Sequence, residues 1–446
     1  MKDKQILWML IKEVKYLLFV LLMLSLSCVP IFGPDKKQKK KVERSITELN
    51  HNEIPKGNKT IAIVDVSLID GIADAPIEHA TVIVSNGIIS AIGKKSNLEI
   101  PADAEIIKGE GLTLMPGLID AHYHNSKNFP SIYLKRGITS LRDPGIWIDD
   151  YDQERESGQP IPRLFLTGPH LDMPPPAYPN DSYLVRDKAE VREAMKFLIG
   201  AGSTAIKVYF RLSLDLIKEA SDIAHSHGLP VTGHLEITDA RQAILAGLDG
   251  IEHVTSLGTA LIPRKKAEKY RQRILADNSE RRPGRYEMWK DIDVYGKEAD
   301  SLINFLKKHQ TFLTPTLGAF EYRLGENEND SVAFLGFQNM MRFIGRCQEN
   351  NVRIVVGSHG PWNKYIEMGW TYQHEMWLFS QAGMKHMNII KAATIENARF
   401  FRIDHRLGSI EKGKQADLIL IEGDPIADIK TMRNIKKVML NGRWIQ

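Results

Sequence analysis

The sequence predicts an α/β protein: a (β/α)8 TIM-type barrel with a small composite β-sandwich domain formed from both chain ends. Three observations predict it. The middle of the chain alternates apolar strand-like runs with amphipathic helix-like stretches, the pattern of parallel strands covered by helices. Both flanks carry short alternating apolar and polar runs with turn dipeptides between them. Histidines fall at the ends of several central runs, where a barrel gathers its reactive side chains.

Taken from the N-terminus, the first element is an address. Lys2, Lys4, Lys12 and Lys15 precede an apolar run from Tyr16 to Ser27, a basic region followed by a hydrophobic one. The run ends in Leu-Ser-Leu-Ser-Cys-Val-Pro over 24–30. That ending is similar to a bacterial lipoprotein signal with Cys28 as the lipidated residue, although Ser25 stands where leucine is usual. An uncleaved signal anchor is the other reading; the stretch 17–33 is short for a spanning helix of about 20 residues. Either way, residues 1–28 imply export and anchoring to a bacterial cell-envelope membrane, on its periplasmic or outer-surface side. Residues 29–58, rich in Lys, Asn and Pro, read as a tether.

Residues 59–114 alternate apolar and polar, with turns at Asp70-Gly71 and Asn86-Gly87, and predict short antiparallel strands. Residues 404–446 repeat that style, so one small β-domain is expected from the two segments together. Between them, 115–403 holds eight strand candidates: 117–122, 138–143, 163–167, 204–210, 229–234, 250–254, 311–316 and 352–357. Amphipathic helix candidates separate most of them, among them 187–200, 213–227, 238–247, 297–309 and 333–350. Eight such units suggest a closed barrel, and an open doubly wound sheet of similar content is the alternative. Segment 169–179 after the third strand reads as a proline-stiffened active-site loop. Segment 258–296 breaks the rhythm with Arg264, Lys265, Lys266, Lys269, Arg271, Arg281, Arg282 and Arg285. It reads either as a lid or substrate-binding insertion at the barrel mouth or as a solvated helical decoration.

Composition excludes some classes. Hydrophobic residues at 43% and charged residues at 26% are those of a globular protein with a sizeable core. The net charge of +4 arises in the first 45 residues, whose ten basic and four acidic side chains leave the remainder at −2. A near-neutral body gives no reason to expect nucleic acid. Only two cysteines, Cys28 and Cys347, exclude a disulfide framework.

The chemistry-bearing residues sit on the strand candidates. His122 and His124 are two apart, so in extended backbone both imidazoles face one side and can reach one ion. His234 ends the fifth candidate, His253 lies near the end of the sixth, and His359 follows the eighth. A lone His-x-His is a weak signal; histidines at the same end of four strands are a strong one. Lys207 lies inside the fourth candidate, where its charge is costly unless paired or modified. Carboxylation by CO2 and pairing with a carboxylate are both open on the residues alone. Tyr209 shares the face of Lys207 and is either a substrate contact or core packing. Asp143 ends the second candidate and can contribute to the pocket. His374 and Glu375 lie on a helix and read as structural.

These motifs resemble the amidohydrolase superfamily, in its imidazolonepropionase-like and Xaa-Pro dipeptidase-like branch. MPGLIDAHYH (115–124) is similar to the opening motif, and IKVYF (206–210) to the carboxylated-lysine strand. VTGHLEITDARQAILAGLDGIEHV (231–254) is similar to the paired-histidine segment, and residues 392–425 to the C-terminal signature. The resemblance covers roughly 60–446. It implies two divalent ions, of which zinc suits an N/O ligand set. His122 and His124 would bind one and His234 and His253 the other, with carboxylated Lys207 bridging. It further implies hydrolysis of a C–N bond, in an amide, cyclic amide or dipeptide, by a metal-activated hydroxide. The expected partner is a small-molecule or dipeptide substrate, with membrane attachment through the N-terminus; a homo-oligomer is compatible.

One position departs from the pattern. After the eighth strand the family has an aspartate that binds metal and moves a proton, and this chain has Gly357-Ser358-His359-Gly360. Neither Glu349 nor Glu367 stands close enough in the sequence to replace it. Three readings follow: His359 serves as ligand and proton carrier in a working hydrolase; the site binds metal but the reaction differs; or the chain is a catalytically silent lipid-anchored binding protein. An Xaa-Pro-type dipeptidase is the alternative activity.

Overall fold

The computed structural model describes residues 45–126, 129–326, 330–361 and 363–445. The leader, Cys28 and the start of the tether lie outside them. No helix among the described residues is long and apolar enough to cross a membrane.

The N-terminal flank folds as β1 (Thr60–Leu68), β2 (Ile77–Ser85), β3 (Ile88–Lys94), β4 (Glu105–Lys108) and β5 (Leu112–Pro116). Asn86 and Gly87, at φ 50° and 74°, form the two-residue turn between β2 and β3 that the Asn-Gly pair predicts. In β1 a bulge around Asp65, at φ 58°, lets Ile61, Ile63, Val66 and Leu68 all reach one apolar core.

The parallel strands follow. They are β6 (Leu118–Asp120), β7 (Ile138–Leu141), β8 (Arg163–Leu164), β9 (His170–Asp172), β10 (Ser182–Leu184), β11 (Ile206–Val208), β12 (Val231–His234), β13 (Gly250–Glu252), β14 (Phe312–Thr314) and β15 (Arg353–Ile354). The C-terminal flank adds β16 (Leu418–Glu422), β17 (Ile435–Leu440) and β18 (Arg443–Ile445).

β16 pairs with β5, so both chain ends join in one eight-stranded sheet of order β18-β17-β16-β5-β1-β2-β3, with β4 beside β1. Two details differ from expectation. β1 runs parallel to β4 and β5, so the sheet is mixed, because residues 95–104 carry the chain back before β4 begins. The strands of the two flanks also share one hydrogen-bonded sheet instead of two stacked ones.

The central strands form a three-stranded sheet, β6-β7-β8, and a seven-stranded one, β10-β9-β11-β12-β13-β14-β15. All their pairings are parallel. Backbone hydrogen bonds join the two sheets at both ends: Thr204 N–H donates to Leu166 O (2.8 Å) and Ala121 N–H to Val356 O (3.0 Å). Each of the eight strand candidates contains one of these strands. β9 was expected as loop. Its three residues are too short to show an alternation, and their strand character comes from tertiary pairing of Leu171 with Val208.

The covering helices follow the expected amphipathic logic. In Lys188–Gly200, Asp187 caps the N-terminus by accepting from Ala189 and Glu190 N–H, and Val191, Ala194, Met195 and Leu198 form the buried stripe. The charged insertion is not a solvated decoration. Its helices Arg264–Ala276 and Arg281–Lys290 bury Tyr270, Ile274, Met288 and Trp289. They approach so closely that a Cβ on Gly284 would lie 2.7 Å from the Tyr270 ring. The tether reading also fails for its last residues. Ile46, Glu48 and Asn50 are buried, and the Asn50 side-chain amide donates to Pro162 O at 2.9 Å.

Candidate metal centre

The strand ends deliver the site. Beyond β6 the backbone passes through Ala121 to His124, and Asp120 fixes this turn. Its Oδ1 accepts from the His122 and Ser358 N–H groups, both at 3.0 Å, and its Oδ2 from the Ser358 hydroxyl at 2.6 Å. His359 N–H donates to His122 O at 2.6 Å. The first and last strand ends are thereby clamped together. Gly357 is required here, since a Cβ would meet His122 Cβ at 2.7 Å. Burial pushes the Asp120 carboxyl up to about 7, against the pull of its donors.

His253 and His359 both adopt left-handed backbone, at φ 67° and 65°. Such conformations are costly for a residue with a Cβ and concentrate at functional sites. At His253 the consequence is specific. Strict strand alternation would send Glu252 and His253 to opposite faces. The left-handed turn brings both to the cluster.

The imidazoles converge. One ring nitrogen from each of His122, His253 and His359 lies within 4.8 Å of the others. The His122 and His124 Nε2 atoms are 3.1 Å apart, and the His234 and His253 ring centroids 4.4 Å. Their remaining nitrogens are engaged elsewhere. His122 Nδ1 is 2.6 Å from Glu252 Oε2, His253 Nδ1 is 2.6 Å from the Thr316 hydroxyl, and His234 Nε2 is 2.9 Å from Glu236 Oε1. His124 Nδ1 stands 3.6 Å from Asp143 Oδ1. This turns Nε2 of His122, His124 and His253 and Nδ1 of His234 away from those partners, with the His122 and His124 Nε2 atoms in contact with each other.

Burial disfavours the charged form of His122, His234, His253 and His359. It brings His122 down to about 4, against the pull of Glu252, and His234 down to about 3, against Glu236. His253 and His359 are lowered well below the usual histidine value by burial and by neighbouring imidazoles. Neutral imidazoles offer lone pairs to a cation. Burial also lowers Lys207 to about 8, partly offset by Glu252, whose Oε1 lies 3.9 Å from Nζ. Lys207 Nζ has no hydrogen-bond partner among the described residues. Burial pushes the Glu252 carboxyl up, but Lys207 and His122 outweigh it and the net shift is downward.

A cavity of about 350 Å³ is lined by His122, His124, Lys207, Tyr209, His234, His253 and His359 together. Every body residue singled out in the sequence for the site therefore meets at one place. The structure adds residues that sequence reasoning missed. Glu252 is a buried carboxylate whose oxygens meet His122 Nδ1 and the Thr232 hydroxyl, both at 2.6 Å. Asp120 clamps the two strand ends. His170, on β9, lines the cavity with its Nε2 2.8 Å from the Ser182 hydroxyl. Arg285, from the insertion, also lines it and donates through Nε to Glu236 Oε1 at 2.8 Å, while the Tyr270 hydroxyl donates to Oε2 at 2.9 Å. Glu252 and Asp120 carried one signal, a carboxylate inside an apolar strand. Nothing in the sequence distinguished Arg285 from its charged neighbours. His374 makes a 2.6 Å contact with Glu321 Oε2, and the Glu375 carboxylate accepts from Leu317 and Gly318 N–H, both at 2.7 Å.

Comparison with known proteins bears on the family. The amidohydrolase family matches over residues 113–445. An adenine deaminase of Clostridium botulinum (strain 657 / Type Ba4) is 23% identical over 412 residues, covering 86% of this chain and 57% of the deaminase. The chain thus spans little more than half the length of that curated relative. Among solved structures, a Xaa-Pro dipeptidase with methionine in its active site is similar with a TM-score of 0.66 and 21% identity, over 86% of this chain and 99% of that one. Molinate hydrolase is similar with a TM-score of 0.66 and 20% identity, over 87% of this chain and 95% of that one. At such identities these two likenesses speak for a shared fold.

Proposed function

The chain belongs to the amidohydrolase family, and we propose that it is a metal-dependent hydrolase acting on a C–N bond of a small molecule or dipeptide. The observation that carries this reading is the set of imidazoles around one cavity, with a ring nitrogen of each of His122, His253 and His359 within 4.8 Å of the others. The donor set fits a divalent ion: His122, His124, His234 and His253 each keep one ring nitrogen turned away from the partner that orients the ring. Zinc is the ion we propose, in a pair. Lys207 fits the bridging role. Its amine is buried, without a hydrogen-bond partner among the described residues and lowered to about 8, so its neutral form is accessible for carboxylation. When bound, the metal supplies Lewis-acid activation of water and of the scissile carbonyl.

The chain's own residues do the rest. Glu252, Thr316, Glu236 and Asp143 hold the imidazoles in their orientations. His359 would take the proton of the attacking water on a ring nitrogen and return it to the leaving amine, a role that has to overcome the burial that disfavours its charged form. The parallel strands, hydrogen-bonded around both junctions, belong to this reading as a closed (β/α)8 barrel with the mixed sheet as its smaller companion. Export and lipid attachment at Cys28, read from residues 1–28, are part of the same proposal.

Elemental analysis of protein purified without chelator tests it. Close to two ions per chain are expected, and fewer than about 0.3 would sink it. Activity on a panel of dipeptides, lactams and acyl amides is then compared between the native chain and His359→Asp. Native activity that the variant loses supports His359 as a working proton carrier. An inert native chain with an active variant supports the silent binding protein instead.

A further inference from the structure

The two proposed ions have supports from different parts of the chain. His122 is turned by Glu252, which also accepts from the Thr232 hydroxyl at 2.6 Å. His124 stands beside Asp143, which accepts from Asn125 N–H at 2.8 Å and from the Tyr151 hydroxyl at 3.1 Å. All of these groups belong to barrel strands or to the loops that follow them. His234 and His253 are supported largely from segment 258–296.

His234 Nε2 donates to Glu236 Oε1 at 2.9 Å. Among the described residues, every other donor to Glu236 lies in the insertion. Arg285 donates to Oε1 through Nε at 2.8 Å and also through Nη2, and the Tyr270 hydroxyl donates to Oε2 at 2.9 Å. Glu236 is buried with both oxygens engaged, so the insertion sets its direction. A carboxylate that orients a metal-binding imidazole does so only while it is itself held. A second tie reaches the same ring. Tyr209 packs against His234 with centroids 4.6 Å apart, and its hydroxyl accepts from Arg281 Nη1 at 3.1 Å.

His253 leads directly into the insertion, since its left-handed backbone opens the turn Val254–Ala260. Its ring meets the Phe320 ring edge-on, with centroids 5.7 Å apart. Phe320 is in turn braced by the helix Arg281–Lys290. The Arg285 guanidinium lies 5.2 Å from its ring centroid, and the Tyr286 hydroxyl donates to its carbonyl at 2.9 Å. The barrel contributes Thr316, at 2.6 Å from His253 Nδ1. One guanidinium, that of Arg285, thus touches supports of both imidazoles.

We infer that the insertion is a retention element for one ion of the pair. Arg285 acts as a positioning residue through Glu236 and Phe320, and Tyr270 through Glu236. This deepens, and rests on, the paired-metal hydrolase reading. The ion at His122 and His124 is held by the barrel alone. The ion at His234 and His253 is held only while the helices Arg264–Ala276 and Arg281–Lys290 are docked, and it is the more readily lost of the two.

The test reads metal binding, which separates it from turnover. Zinc is titrated into the metal-free full chain in competition with a chromophoric chelator. The native chain should take up two ions, and His234→Ala should abolish one uptake step, which marks the insertion-dependent site. Tyr270→Phe keeps the ring and removes one hydroxyl; Arg285→Gln removes the guanidinium. Each should weaken the marked step about tenfold and leave the other within about twofold. Selective weakening in either variant is enough to support the inference. A merely structural role would weaken both steps alike. If Arg285→Gln does not fold, Tyr270→Phe decides alone. Two ions bound with the marked step unmoved in both variants, or with both steps weakened alike, overturns the inference and leaves the paired-metal reading standing. A native chain that binds one ion or none overturns that reading, and this inference with it.

Discussion

At Glu252 one carboxylate oxygen meets His122 Nδ1 and the other accepts from the Thr232 hydroxyl at 2.6 Å while facing Lys207. The residue thus sets the direction of His122 and balances the charge of Lys207. Glu252→Gln keeps the shape and removes the charge. Loss of such an orienting partner costs about 10–100-fold in metal affinity, so the variant should bind zinc that much more weakly in a competition titration. Unchanged zinc affinity would remove Glu252 from the site. The histidines were legible in the sequence because residue type and strand-end position coincide. Glu252 was not, because alternation assigns it to the face opposite His253, and only the left-handed backbone at His253 reverses that. Arg285 and Arg281 were illegible for another reason: an insertion has no periodic frame that says which of its charges turn inward.

Elements repeat this contrast. All eight central strand positions were readable, since each is a short apolar run between helix-like stretches. The packed segment before β1 was not, because its anchor is electrostatic and distant in sequence. Glu48 contacts Arg163 and Arg406, and Arg163 in turn donates through Nε to Asp417 Oδ2 at 2.6 Å. A charged residue in a polar stretch looks solvated until its partners are known. Burial pushes Glu48 up, but the two arginines prevail and hold it at about 2 against an ordinary 4.5. A carboxyl depressed in the folded state contributes stability that is complete above its unfolded pKa and is lost as pH falls toward the folded one. The contribution is about 3 kcal/mol near neutrality and fades between pH 4.5 and about 2. Glu48→Gln should therefore lower the melting temperature clearly near neutral pH and progressively less as the pH is brought down through that window. A difference that stays constant with pH would assign the loss to packing instead of charge.

At the scale of the described body, the two flanking segments meet beside the candidate metal centre. β5 pairs with β16, and one residue past β5 the chain enters β6, which leads to His122. Asp120 and the His359 N–H then tie that strand end to the turn after β15. First strand, last strand and the terminal sheet are linked through a few buried polar groups around the imidazoles, so an ion held there bears on the stability of the whole fold. A ligand bound only by the native state stabilises it by about 4 kcal/mol when present at a thousandfold its dissociation constant. For a large domain, each kcal/mol moves the melting temperature by roughly 2 °C. Exhaustive chelation, verified by elemental analysis, should lower the melting temperature by about 5 °C or more, and zinc should restore it. The same treatment of a His122→Ala, His253→Ala double variant should shift it far less, because two of the proposed nitrogen donors are gone. A native melting temperature indifferent to chelation, with metal shown to have been present before and absent after, would mean that the ion sits outside this cluster.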